Sequence, residues 1–192
     1  MLMRVSRTIP FTAALLAGGK SSRMGRDKAA LKWEGQSLWQ RQIHLLKSLR
    51  PEQILISGRP DGPYLESEYQ IVFDAEPDLG PLGGIMSLLE ACTTERLLVL
   101  AVDMPWMSLP VLEQMLSLDT GVVPMIDDRS EGAAAIYPTA IKPLIRSVLL
   151  AEDRSFQNLA RLAVADGYVK NWEVPLNLQF HFRSWNSSIL PA

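Results

Sequence analysis

Apolar runs of strand length, set apart by helical patterns, constrain the fold of this chain more than any other feature of its 192 residues. Thr12–Leu16, 53–57, Gln70–Phe73, 97–101 and 121–125 are each four or five residues long and largely apolar, the length of a buried strand and too short for a core helix. Between them, apolar residues recur at helical spacing. Ser37 is placed to cap a helix running towards Leu49, in which Trp39, Ile43 and Leu46 share a face that Leu38, Leu45 and Leu49 widen, and Pro51 ends it. Further helices are expected at 84–91, 110–118, 141–150 and 155–163, with Pro110 suited to a first turn. Strands buried on both faces and alternating with helices predict an α/β fold, a mostly parallel central sheet with helices on either side. Residues 133–137 and 167–174 are further strand candidates whose position in the sheet periodicity does not fix.

Charge and cysteine content narrow the function classes. With 19 basic and 21 acidic side chains the net charge is −2, so an extended basic surface for nucleic acid is not expected. The 47% hydrophobic content suits one sizeable core, and we expect a single domain over 1–192. Cys92 is the only cysteine, which excludes an intrachain disulfide and a cysteine-based zinc site; it is expected to be a small buried apolar residue in a cytoplasmic protein. Arg4 and Arg7 ahead of the apolar stretch 9–17 imitate a secretory leader, but Pro10 and Thr12 interrupt it. No run approaches the ~18 apolar residues of a membrane span, and no membrane partner is expected.

Chemistry concentrates at the ends of the strand candidates. Leu15-Leu16-Ala17-Gly18-Gly19-Lys20-Ser21-Ser22-Arg23-Met24-Gly25-Arg26-Asp27-Lys28 follows the first strand directly. Gly18 and Gly19 permit close backbone approach to a ligand, and Lys20, Arg23, Arg26 and Lys28 supply cationic groups for phosphates. The stretch matches neither the P-loop spacing nor Gly-x-Gly-x-x-Gly, and taken alone it reads equally as a solvated basic turn. Position separates the two. Asp74 follows the strand candidate ending at Phe73, and Asp103 follows the run 97–102, so in a parallel sheet both carboxylates emerge at the edge that carries the loop.

Asp103 precedes Met104-Pro105, and Pro105 turns the chain off the strand. A carboxylate held there suits Mg²⁺ shared with substrate phosphates; the alternatives are capping of the helix near Pro110 or pairing with a loop cation. Asp78-Leu79-Gly80-Pro81-Leu82-Gly83-Gly84-Ile85 opens a helix whose first N–H groups can meet a ligand or merely begin the helix. Ser57 and Gly58, at the end of the second strand, can present hydrogen-bonding groups to a base. His44 and His181 have no partner at metal-ligand spacing. Trp39 reads as core, Trp106 as packing or as the border of a substrate mouth, and Ser21 and Ser22 as hydrogen-bonding groups without a base to make them nucleophiles.

Taken together, the loop 15–28, Asp74 ahead of Gly80-Pro81-Leu82-Gly83-Gly84, and Val102-Asp103-Met104-Pro105 resemble the molybdenum cofactor guanylyltransferase (MobA) family of nucleotidyltransferases. The resemblance implies a three-layer, Rossmann-like nucleotide-diphospho-sugar transferase fold. It implies transfer of GMP from GTP to the phosphate of molybdopterin with release of pyrophosphate, Mg²⁺ as cofactor, and molybdoenzyme-maturation proteins as partners of a monomer or weak oligomer. By the same resemblance Leu16, Ala17 and Gly18 contact the nucleotide through backbone groups, Lys28 binds its phosphates, Ser57 stands where the family commonly has asparagine, Asp74 contacts the nucleotide, and Asp103 holds the metal; the Gly18–Gly19 backbone is expected to hold the leaving pyrophosphate. Asp103, Lys28 and Arg23 are then the catalytic set, with 1–110 the nucleotide- and metal-binding part and 111–192 the acceptor-binding part. The likeness weakens near the C-terminus, where only Phe182 and Asn186 of an expected acceptor motif persist and no proline precedes Tyr137 in 132–137. Transfer from CTP, or to another phosphorylated acceptor, and a non-catalytic nucleotide or pterin carrier are the alternatives.

Overall fold

The computed structural model describes residues 9–18, 27–74, 79–118 and 120–185. Its first strand, β1 (Thr12–Leu16), is followed by a small antiparallel hairpin, β2 (Lys32–Trp33) and β3 (Gln36–Ser37), which leads into α1 (Leu38–Ser48). Then come β4 (Gln53–Gly58), β5 (Gln70–Phe73), α2 (Gly80–Ala91), β6 (Arg96–Ala101) and α3 (Leu109–Leu116). The remainder is β7 (Gly121–Ile126), β8 (Arg129–Ser130), β9 (Ala134–Pro138), α4 (Lys142–Leu150), α5 (Phe156–Ala165), β10 (Val169–Glu173) and a 3₁₀ segment, Leu176–Phe182.

Eight strands form one sheet in the order β10-β7-β9-β6-β1-β4-β5, with β8 attached to β7. β1 lies between β4 and β6 and is parallel to both, β5 is parallel to β4, and β10 is parallel to β7. The expected mostly parallel α/β architecture is therefore present. Two strands depart from it: β8 runs antiparallel to β7, and β9 runs antiparallel to β6 and β7. The reason is local, because β7 turns back through Asp127 and Asp128, both at positive φ (47° and 60°), and a connection this short returns antiparallel.

Alternation along the strands assigns side chains to two cores. Ala13, Leu15, Ile56, Leu98, Leu100 and Ile136 face α1, α3 and the C-terminal 3₁₀ segment. Ala14, Leu55, Leu97, Val99, Ala135 and Tyr137 face α2, α4 and α5. β6 is buried at all six positions, as a central strand of a covered sheet must be. No helix among the described residues is long and apolar enough to cross a membrane.

Two local expectations are corrected. Ser37 occupies the position before α1 but does not cap it through its side chain; Ser37 Oγ instead donates to Gln40 Oε1 at 2.7 Å. Cys92 is half-buried rather than buried, with Sγ 3.3 Å from the Thr94 carbonyl, because it lies beyond the last turn of α2, where the chain turns towards β6. Leu98 is fully buried at the centre of the sheet, so Leu98→Ala should lower unfolding free energy by ~2–5 kcal/mol, seen as a lower urea midpoint at unchanged denaturant slope.

Candidate active site

Parallel pairing brings the strand ends level. The Ala17 N–H donates to Ser57 O at 2.9 Å, and the Val102 N–H donates to Leu16 O at 3.0 Å, so Leu16, Ala17 and Gly18 are held between the ends of β4 and β6. Side chains at the ends of β1 and β4 and just beyond β5 converge on α2 at Gly84. A Cβ placed on Gly84 would stand 2.9 Å from Ser57 Oγ, 3.3 Å from Asp74 Oδ1 and 3.4 Å from Leu16 Cδ2. Glycine at 84 is thus required for α2 to approach this corner. Its entry is a sharp one: Gly80 has φ +66°, Pro81 occupies the first turn, and among the described residues no side chain caps the first N–H groups. Asp74 is exposed as a residue, yet its carboxyl lies against α2 at Gly84, and lost hydration raises its pKa.

Across the same edge, Lys28 Nζ donates to Asp103 Oδ2 at 2.8 Å, with side-chain exposures of 23% and 21%. A short, charge-assisted contact between half-buried partners is stronger than a surface ion pair. Lys28 begins a 3₁₀ turn, Lys28–Ala30, that Asp27 caps by accepting from the Ala29 N–H at 2.9 Å. The chain after Asp103 is clamped from several sides. Gln42, fully buried on α1, donates to Met104 O at 2.6 Å; Arg41 Nε donates to Pro105 O at 3.0 Å; and the Trp185 N–H donates to Asp103 O at 2.7 Å. Trp33 completes the clamp, edge-on to Trp106 at 5.0 Å and to Trp185 at 5.4 Å between ring centroids.

Of the residues singled out in the sequence, Leu16, Ala17, Gly18, Lys28, Ser57, Asp74 and Asp103 lie at this one sheet edge. Gly19 and Arg23, with Lys20 and Arg26, lie outside the described residues, as does Asn186. Trp106 takes up the packing role, against Trp33 and Phe180, and His181 Nδ1 lies 2.6 Å from its carbonyl. His44 pairs with Gln36 at 2.7 Å, away from the carboxylates. Phe182 is buried against Trp172, and Trp39 packs edge-on to Tyr64. Gln42, Trp185 and Trp33 were not legible as parts of the site: each acts through a backbone carbonyl or a ring edge distant in sequence. Among the described residues no three His, Cys, Asp or Glu side chains stand together.

A crevice beyond the carboxyl ends of a largely parallel sheet is where open α/β folds take their ligands, and this sheet has the Rossmann-like architecture of the nucleotidyltransferase class. Solved structures share this architecture. Molybdopterin-guanine dinucleotide biosynthesis protein A from Archaeoglobus fulgidus superposes with a TM-score of 0.70 at 21% identity, over 92% of this chain and 93% of that one. The 2-C-methyl-D-erythritol 4-phosphate cytidylyltransferase of Thermus thermophilus superposes at 0.63 and 16% identity, over 91% and 92%. In sequence, residues 13–168 match the MobA-like NTP transferase domain, and the chain belongs to that family. Molybdenum cofactor guanylyltransferase of Pseudomonas fluorescens is 32% identical over 157 residues, 78% of each chain. The protein of the same name from Xanthomonas euvesicatoria is 42% identical over 110 residues, and that match spans 56% of this chain and about half, 54%, of the relative.

Glu131 lies between β8 and β9, level with the strand ends, where its N–H donates to Pro124 O and its carbonyl accepts from the Ala134 N–H. Partial burial raises the pKa of its carboxyl. An acid raised in the folded state stabilises the fold while protonated; that contribution is full below the unfolded carboxyl's pKa and is lost as pH rises through the folded one. Glu131→Gln removes the penalty of ionisation, so its melting temperature should exceed that of the unsubstituted protein at pH 7, with the gap closing as pH falls through the carboxylate range.

Proposed function

We propose that this protein transfers GMP from GTP to the terminal phosphate of molybdopterin in the cytoplasm, forming the guanine dinucleotide and releasing pyrophosphate. The observation that carries the reading is the Lys28–Asp103 pair at the strand-end crevice, facing the corner built by Leu16, Ser57, Asp74 and Gly84. A cation and a carboxylate within 2.8 Å neutralise one another until a ligand brings partners for both: phosphate oxygens for Lys28 and a divalent cation for Asp103. The relatives from Pseudomonas and Xanthomonas carry names for this activity, which supports the choice of acceptor.

The bond that forms joins an acceptor phosphate oxygen to the α-phosphorus of GTP; the bond that breaks is that between the α-phosphorus and the oxygen bridging to the β-phosphate. The acceptor phosphate is already ionised near neutral pH, so no general base is required and the protein's task is alignment and charge neutralisation. In this reading the backbone of Leu16, Ala17, Gly18 and Gly19 lies against the nucleotide, Ser57 and Asp74 contact its nucleoside part, and Lys28 with Arg23 balances charge on the phosphates as pyrophosphate departs. The N–H groups opening α2 add a second anion-facing wall. Asp103 suits Mg²⁺, because a single carboxylate at a strand end is the protein share expected when the nucleotide and waters complete the shell. When bound, that ion supplies Lewis-acid stabilisation of the transferring phosphoryl group. The 1–110 part then serves nucleotide and metal, and 111–192 the acceptor.

Asp103→Asn should fold normally and lose turnover by ~10²-fold or more, the scale of one electrostatic contact to a transition state, in a pyrophosphate-release assay with GTP, Mg²⁺ and molybdopterin. Wild-type turnover in that variant would defeat the assignment. Because the same fold serves a cytidylyltransferase, nucleotide choice is read separately. GTP with Mg²⁺ at ~100 times its dissociation constant should raise the melting temperature by about 5–10 °C while CTP leaves it nearly unchanged, and equal shifts would refute guanine selectivity.

A further inference from the structure

Two consecutive residues make ion pairs in opposite directions across the strand order. Lys28 reaches Asp103 beyond β6, and Asp27 reaches Arg59 beyond β4, with Arg59 Nη2 donating to Asp27 Oδ2 at 2.9 Å. β1 lies between β4 and β6, so residues 27 and 28 span the strand from which their own segment departs. Both members of the Asp27–Arg59 pair are half-buried, with side-chain exposures of 19% and 24%. Arg59 is itself held from within the fold. Tyr64 is fully buried, its hydroxyl accepts from the Arg59 N–H at 2.7 Å, and its ring fills the space where a Cβ on Gly58 or Gly62 would lie. Asp27 is held equally well, since its other carboxylate oxygen caps the turn that begins with Lys28. Arg59 therefore belongs to a chain of contacts running from Tyr64 through Asp27 to the backbone of Lys28, with Asp61 a second, more exposed carboxylate at 3.4 Å from Nε.

We propose that Arg59 is a positioning residue for nucleoside triphosphate binding, acting through Asp27 to keep Lys28 in place when Lys28 exchanges Asp103 for phosphate. The proposal deepens the reading of this crevice as a nucleotidyl-transfer site and rests on it. The physical need is plain. Once phosphate draws Lys28 Nζ away from Asp103, that tie to the end of β6 is released, while the pair of Asp27 with Arg59 still holds the turn to the end of β4. A cation misplaced by an ångström loses much of its effect on a transferring phosphoryl group.

The test compares Arg59→Leu, Arg59→Lys, Asp27→Asn and the Arg59→Leu/Asp27→Asn double variant. Asp27→Asn keeps an oxygen for the Ala29 N–H and removes only the charge. Binding of GTP with Mg²⁺ is measured by calorimetry, and turnover by pyrophosphate release with molybdopterin as acceptor. Arg59→Leu and Asp27→Asn should each weaken GTP binding and raise its KM by about ten- to a hundredfold, with the molybdopterin KM unchanged and Arg59→Lys largely restored. The double variant should be no worse than either single one, because the two act as a unit. A merely structural loss would instead lower kcat at unchanged GTP KM. If Arg59→Leu fails to fold, Asp27→Asn against the unsubstituted protein carries the comparison. Unchanged GTP affinity in Asp27→Asn, or single effects that multiply in the double variant, would overturn the proposal. Failure of the broader reading looks different: the unsubstituted protein would then release no pyrophosphate from GTP and molybdopterin, while the coupling between Asp27 and Arg59 would still be read from binding of GTP alone.

Discussion

Because β1 pairs in parallel with β4 on one side and β6 on the other, Leu16 stands level with Ser57 and Ala101, and the loops leaving all three strands emerge together. Everything functional in the molecule follows from that register. A slip by one residue would exchange the faces of β1, sending Ala13 and Leu15 to the side now filled by Ala14 and its neighbours. The two cores therefore lock the register, and the register sets which groups meet at the crevice. Burial of β6 on both faces leaves its carboxyl end as the place where the chain can again offer charge to solvent, and Asp103 stands two residues beyond it.

Charges at the crevice are arranged in compensating pairs. Lys28 and Asp103, then Asp27 and Arg59, each place a cation against a carboxylate at under 3 Å. Half-buried charges left alone would carry a desolvation penalty; paired, they are stable and remain exchangeable for a ligand's own charges. Asp74 differs from these pairs in that partial burial costs its carboxylate hydration and raises its pKa.

The strands with unbroken apolar runs were legible to within a residue or so. Thr12–Leu16 and Gln70–Phe73 match their predicted bounds, and β4, β6 and β7 each extend one residue beyond theirs at one end. α2 begins four residues earlier than its expected start at Gly84, since Gly80 and Pro81 initiate rather than interrupt it. The β2–β3 hairpin escaped notice because each strand is two residues long and Trp33 reads as an isolated aromatic. The direction of β9 was hidden for a different reason: the turn at Asp127 and Asp128 depends on positive φ at residues that also occupy ordinary loops.

Residue order alone thus carries the α/β class, the loop after β1, and the carboxylates after β5 and β6, because strand length, helical spacing and strand-end position are local properties of a chain. Packing alone decides that Lys28 meets Asp103, that Asp27 turns instead to Arg59, and that Gln42, Trp33 and Trp185 hold the chain around Asp103. Such contacts join residues tens of positions apart through side-chain reach and ring geometry. No periodicity records them, since they exist only once both cores have formed and brought the strand ends together.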